Sequence, residues 1–329
     1  MRTSKLHSRG GALLMVLWVS AALAAVGFSL ANTVRGEAER TATGVDSLRS
    51  YYLAVGGVQR GIIELLWTAM YPNERRIPRG ATVVMYDFPA GMVRLEIIPE
   101  TAKLNVNSAP VIELFRLLLA LGEREDNARQ IAAAIDDWRR PGSGGPFDSF
   151  YMAQTPSFRA AHASFQEIEE LLLIKGVTPD LFYGSYAPAD TVDGADPSGP
   201  RLIPRGGLID CLSIYGTRDR VDANTAAPAV LAAVGLGPYA ISALVKRRAV
   251  SPLTEKELGE FMQAVGAPTD HLRVEGNSIV TMRATARLRL PNGALSDLKR
   301  TVSAQIKYLQ AQANTPFNVL RWYDTAWSN

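Results

Sequence analysis

The sequence predicts an α+β protein. A long N-terminal helix, membrane-embedded in its first half, packs on a small antiparallel sheet that a large all-α insertion interrupts. Three observations predict this arrangement. Residues 11–34 carry no charge, apolar positions then continue at helical spacing to about residue 70, and two β-hairpin patterns lie far apart in the chain. The 329 residues are 47% hydrophobic and 20% charged, a globular composition long enough for several modules.

Residues 1–10, MRTSKLHSRG, are short, polar and basic. The uncharged run that follows, 11–34, spans about 36 Å as a helix, enough for a bilayer core of about 30 Å. The basic flank predicts a cytoplasmic amino terminus and an outward-facing remainder. A secretory signal would end near Ala21–Ala25, yet the run stays apolar through Val26, Phe28 and Leu30. A plain signal anchor is a second reading. The third is a cut between Gly10 and Gly11 that leaves the apolar segment in the mature chain. The string R-G-G-A-L-L-M-V-L-W resembles such a prepilin-type signal, in which a membrane peptidase cuts after glycine and the new amino terminus is methylated. Most pilin-like subunits carry glutamate at the fifth mature position; here it is Met15.

The helix is expected over 11–70. Val45, Leu48, Tyr52, Val55, Val58, Ile62 and Leu65 recur every three or four residues. Gly56-Gly57 weakens it locally and Pro72 ends it. Sheet residues are expected over 78–100 and 277–309. Thr82–Phe88 and Met92–Ile98 flank a Pro-Ala-Gly turn. Val280 to Leu290 alternate apolar residues with Thr281, Arg283, Thr285, Arg287 and Arg289, so one face is expected buried and one wet, before the turn Pro291-Asn292-Gly293. Neither hairpin is stable alone, so one shared sheet is the economical reading. Residues 310–329 read as a tail.

Between the hairpins lie two helical units, 101–200 and 205–275. Leu104-Asn-Val-Asn-Ser-Ala-Pro110 matches Val221-Asp-Ala-Asn-Thr-Ala-Ala227, placing Ser108 and Thr225 where helices should start. Each string leads to a helix pair ending in Arg139-Arg140 or Arg247-Arg248, then to Glu170-Leu171 or Glu257-Leu258. An internal duplication follows. The stretch Ala233–Ile241 looks like a helix-hairpin-helix motif, whose turn can meet phosphate in DNA-binding versions. The corresponding turn of the first unit, Leu121 to Asp126, is acidic, and a net charge of +3 with scattered basic residues gives no nucleic-acid face. Gly235, Gly237 and Ala240 also fit G-x-G-x-x-A, but the residues before them read as helix where a dinucleotide fold needs a strand. No P-loop, G-x-S-x-G elbow or H-E-x-x-H occurs, and the single cysteine, Cys211, reads as a small buried hydrophobe. No active site and no cofactor are expected.

The strings KLNVNSAP, AIDDWRRP, EIEELLLIKGVTPDLF, VDANTAAPAVLAAVGL and FNVLRWYDTAW, with the leader, resemble the protein K family of type II secretion, the minor pseudopilins. The resemblance implies a pseudopilin head whose insertion is two SAM-like, helix-hairpin-helix-type domains. It implies a single-pass inner-membrane protein with its bulk in the periplasm, at the tip of a pseudopilus that exports folded proteins. Implied partners are other minor pseudopilins, the major pseudopilin, the inner-membrane secretion platform and prepilin peptidase, without nucleic acid. A family member at the tip needs no glutamate at Met15, and association would use Val45, Leu48, Tyr52 and Val55. A type IV pilus or competence apparatus with a DNA-binding helix-hairpin-helix is the alternative. Relatives often bind calcium in an acidic loop after Asp-Trp. Here only Asp137 and Asp148 remain beside Arg139-Arg140, a poor set for an ion wanting six to eight oxygens; they are weak calcium candidates, and otherwise read as a solvated loop or a cap.

Overall fold

The computed structural model describes residues 9–71, 73–78, 80–188, 202–216, 219–274, 278–308 and 317–326. Leader residues 1–8, the expected helix stop Pro72 and part of the C-terminal tail lie outside the described residues. Helix α1 runs over Arg9–Met70, about 93 Å at 1.5 Å per residue. Strands β1 (Val83–Phe88) and β2 (Gly91–Pro99) form the first hairpin. A 3-10 turn at Glu100–Ala102 then leads into the insertion.

The insertion's first unit holds β3 (Leu104–Asn105), α2 (Val111–Ala120), α3 (Glu125–Arg139), α4 (Asp148–Met152), a 3-10 segment at Ile168–Leu173 and α5 (Pro179–Tyr183). Next come β4 (Ser185–Pro188), β5 (Leu202–Arg205), α6 (Leu208–Cys211) and β6 (Leu212–Ser213). The second unit holds β7 (Val221–Asp222), α7 (Pro228–Ala233), α8 (Pro238–Val250), α9 (Glu255–Val265) and β8 (Leu272–Arg273). The chain returns to the sheet through β9 (Ile279–Arg289), β10 (Leu295–Tyr308) and β11 (Phe317–Tyr323).

The two hairpins meet in one sheet of order β1-β2-β9-β10-β11, every pair antiparallel. Its inner face packs Val93, Leu95, Ile97, Met282, Ala284, Val302 and Ala304 against Ala54, Val58 and Ile62 of α1. Helix and sheet approach closely because Gly57 and Gly61 lie at the contact. A Cβ on Gly57 would come within 2.5 Å of a Val93 methyl, and one on Gly61 within 2.4 Å of a Leu95 methyl. The glycines that weaken the helix in isolation thus permit its docking.

Three expectations are corrected. The insertion is not all-α: β3 pairs with β6 and β7 with β8, both parallel, and β4 with β5 antiparallel. Two-residue strands carry no readable period. Second, part of the 310–329 tail is strand β11, whose pairing shifts register between Gln305 and Ile306. That irregularity breaks the alternation by which strands are recognised. Third, the polar face of β9 is wet only in part, because Thr281 and Arg283 are buried where the insertion covers the sheet. Arg283 pairs with its cross-strand neighbour Glu96 and lies 3.5 Å from Asp210 of α6. Lys103 sits 3.3 Å from Glu100 and donates to the Ile209 carbonyl at 3.0 Å.

The glycines generate a paired prediction. Gly61→Leu should destabilise the full chain by about 1–3 kcal/mol through overpacking, whereas Gly56→Ala, with nothing within 4 Å, should stabilise it by about 0.5–1 kcal/mol. Chemical unfolding in detergent micelles measures both, and equal effects would contradict the close docking.

Candidate functional site

Two regions hold the residues singled out by sequence: the long helix and the loop after Asp137-Trp138. On α1, Gly10 and Gly11 both lie in the described helix, which covers Arg9–Met70. Met15 is 73% exposed, and its large apolar neighbours through Val34 are exposed as well. The helix is long and apolar enough to cross a membrane. Leu48 and Tyr52 are 57% and 63% exposed and Val45 is also exposed. Val55 departs from the expected stripe, being half-buried against the helix–sheet core. The reason is geometric: the sheet meets α1 only from about Ser50 onward, so one apolar stripe is free at Val45–Tyr52 and covered beyond it. Leu48 and Tyr52 line a groove with Pro89, Leu288, Leu290 and Pro291 at the hairpin tips.

The two units of the insertion repeat the same hydrogen bonds. Asn107 accepts from the Phe165 amide at 2.7 Å and donates to its carbonyl at 3.0 Å; Asn224 does the same with Leu253 at 2.8 and 2.9 Å. Arg139 donates to the carbonyls of Val106 and Ala109, as Arg248 does to those of Ala223 and Ala226. Glu170 caps the Glu167 amide and Glu257 the Thr254 amide. The hairpin turns match as well, with Gly122 at φ 88° and Gly235 at φ 95°. The expected caps Ser108 and Thr225 do not begin the helices. Pro110 and Ala227 occupy those positions, while Asn105 and Asp222 organise the lead-in turns by accepting from the amides of Asn107 and Asn224. Burial pushes the Cys211 thiol up to about 12, which suits a packing role rather than a nucleophile.

The loop after Asp137 folds over an aromatic cluster in which Trp138 meets Tyr151, Phe158 and Phe165. It brings Asp137, Asp148 and His162 together, with one ligand atom from each within 4.8 Å of the others. Asp137 is not a solvated loop residue: it is 8% exposed, and its Oδ2 is buried without a hydrogen-bond partner. Gly145 passes so close that a Cβ there would lie 2.1 Å from Asp137 Oδ1. Asp148 accepts from the Gly145 amide at 3.0 Å and from His162 Nε2 at 2.9 Å, so both its oxygens are engaged. The Gly145 bond and then His162 hold the Asp148 carboxyl below its usual range. Burial works to lower the His162 pKa, but the bonds to Asp148 and to the Asp137 carbonyl outweigh it and raise it. Two carboxylates supply at most four oxygens and the imidazole none, which does not fit an ion that takes six to eight. Sequence reading missed His162 because it lies far along the chain from Asp137 with no motif spacing.

Comparison with known proteins agrees with the resemblance carried by the sequence. Residues 95–185 match the family described as type II secretion system (T2SS), protein K. Type II secretion system protein K of Klebsiella pneumoniae is 27% identical over 199 residues, covering 54% of this chain and 60% of that protein. The protein of the same description from Pectobacterium carotovorum is 39% identical over 75 residues, 21% of this chain and 23% of the relative. The matched stretches therefore span 60% or less of these relatives' lengths. A chain of the GspK-GspI-GspJ complex from enterotoxigenic Escherichia coli superposes with a TM-score of 0.54 at 16% identity, covering 88% of this chain and 100% of that one. At that identity the likeness establishes the fold: a long N-terminal helix on an antiparallel sheet.

The loop geometry generates a pH prediction. The raised His162 pKa contributes stability that is complete below its ordinary 6.5 and lost as pH rises through the folded value. The lowered Asp148 pKa contributes stability present above its ordinary 3.8 and lost as pH falls through the folded value. Protection of loop 141–162 from hydrogen exchange, corrected for intrinsic rates, should therefore be greatest between these limits and decline toward alkaline pH. Protection that rises steadily above neutrality would contradict the pairing.

Proposed function

We propose that this chain is a minor pseudopilin capping the pseudopilus of a type II secretion system, a structural part of folded-protein export rather than an enzyme. Residues 11–34 anchor it in the inner membrane and the rest forms a periplasmic head. Prepilin peptidase cuts between Gly10 and Gly11, and the new amino terminus is methylated. The observation that carries the tip position is Met15, an exposed apolar residue on the membrane part of α1. A carboxylate there would be costly in hydrocarbon unless a neighbour's amino terminus paired with it. A subunit with nothing above it has no such neighbour, yet it can offer its own amino terminus to the subunit below. The insertion of about 175 residues supports the same position, because repeated lateral packing leaves little room for a further domain-sized body.

The insertion is read as two diverged SAM-like, helix-hairpin-helix-type domains, supported by the duplicated hydrogen bonds. Helices α2 and α7 of the two units pack on each other, which favours a structural use of the hairpins over the DNA-binding role of a competence apparatus. Partners are other minor pseudopilins, the major pseudopilin and the inner-membrane platform. Support for the minor pseudopilins comes from the Escherichia coli relative, whose structure is of a three-protein complex. Their helices would lie along Val45, Leu48 and Tyr52, in the groove beside the hairpin tips.

Leu48→Lys should lower co-purification with the other minor pseudopilins about tenfold or more, the scale of an interface hot spot. It should leave unfolding within about 0.5 kcal/mol of wild type, as for an exposed position. Undiminished complex formation would defeat this surface.

A further inference from the structure

The loop over Trp138 holds an imidazole between two oxygen acceptors. His162 Nδ1 lies 3.2 Å from the Asp137 carbonyl oxygen, and Nε2 lies 2.9 Å from an Asp148 carboxylate oxygen. A carbonyl and an ionised carboxylate only accept, so hydrogen bonds at both contacts require a proton on each ring nitrogen. We infer that the His162 imidazolium serves as this loop's built-in cation, occupying the role that a bound metal ion would otherwise fill between Asp137 and Asp148. Asp137, whose buried Oδ2 has no hydrogen-bond partner, brings a carboxylate oxygen within 4.8 Å of the cluster, and its charge favours the same imidazolium. The backbone bears a cost consistent with this. His162 is held at φ 43°, the one described non-glycine residue in the left-handed region, a conformation kept only where surrounding contacts over-determine it.

The other charges around the pair fit the same reading. Arg159 lies near enough to favour ionised Asp148, while Arg140 is turned away to Asp136 on the exposed side. A metal-ligating imidazole needs a ring nitrogen lone pair, and here both nitrogens face acceptors. The loop therefore closes without metal. This inference concerns the loop alone and stands whether or not the chain caps a filament.

The test uses the full chain in detergent micelles with ¹⁵N-labelled histidine. With three histidines in the chain, the His162 signals are assigned by comparison with His162→Asn. At neutral pH both His162 nitrogens should show protonated shifts, unchanged by EDTA, millimolar calcium or zinc. Amide exchange across 141–162 should likewise be the same in all three conditions. His162→Asn keeps a residue that tolerates the left-handed backbone but cannot carry charge. It should speed exchange in the loop about tenfold or more, the scale of losing a hydrogen bond to a charged group. A neutral His162 tautomer, a calcium- or zinc-dependent slowing of exchange in the wild type, or wild-type protection in the variant would each overturn the inference. The wild-type arms decide it even if the variant fails to fold.

Discussion

The close approach of α1 to the sheet at Gly57 and Gly61 is the contact on which the rest of the head depends. With side chains there, Val93 and Leu95 would be pushed away, and the inner face of β2 and β9 would lose its cover. A five-stranded sheet with one uncovered apolar face is not a stable body in water. Docking of the helix therefore lets two hairpins, separated by nearly the whole insertion, find each other and stay paired. The same docking sends the free half of the helix away from the sheet at a fixed place, so that Val45, Leu48 and Tyr52 remain open while Ala54, Val58 and Ile62 are sealed.

With its inner face filled, the sheet offers its outer face to the insertion, and this seam is polar. Glu96, Arg283, Asp210, Glu100 and Lys103 meet there largely out of water. Buried ion pairs contribute little net stability against apolar packing, but removing one partner costs about 3–5 kcal/mol. Such a seam tolerates one register of insertion on sheet and penalises others. Strand β11 adds two further ties. Arg321 pairs with Glu167 of the insertion, and Asp324 just beyond accepts from Tyr51 of α1 at 2.7 Å. The last strand thus connects all three parts of the head.

Much of this was legible in the sequence. The uncharged run 11–34, the alternation of β9 and the paired strings around Asn107 and Asn224 each carry a period or a repeat, and each corresponds to an observed element. What escaped was whatever depends on distant residues. Nothing local marks Arg283 as buried, because its partners Glu96 and Asp210 arrive from elsewhere in the chain. Strand β11 was hidden by its bulge. Gly57 read only as a local weakness, since its purpose is visible only beside Val93. At the candidate site, Asp137 and Asp148 were found by their position after and around Asp-Trp, but His162 reaches them through a turn that no spacing rule encodes. Val55 was grouped with Leu48 by helical period, and the sheet separates them.

The proposed function draws on three of these features: a helix apolar enough to cross a membrane that carries Met15 in place of a carboxylate, a docked head, and a bulky insertion seated on the outer face of the sheet. Under the proposed function, such a subunit closes a filament and does not extend one. Counting this chain on isolated, assembled pseudopili by immunogold labelling of the insertion tests that claim most directly. The account predicts a single label at one end of each filament; labels distributed along the shaft would contradict it.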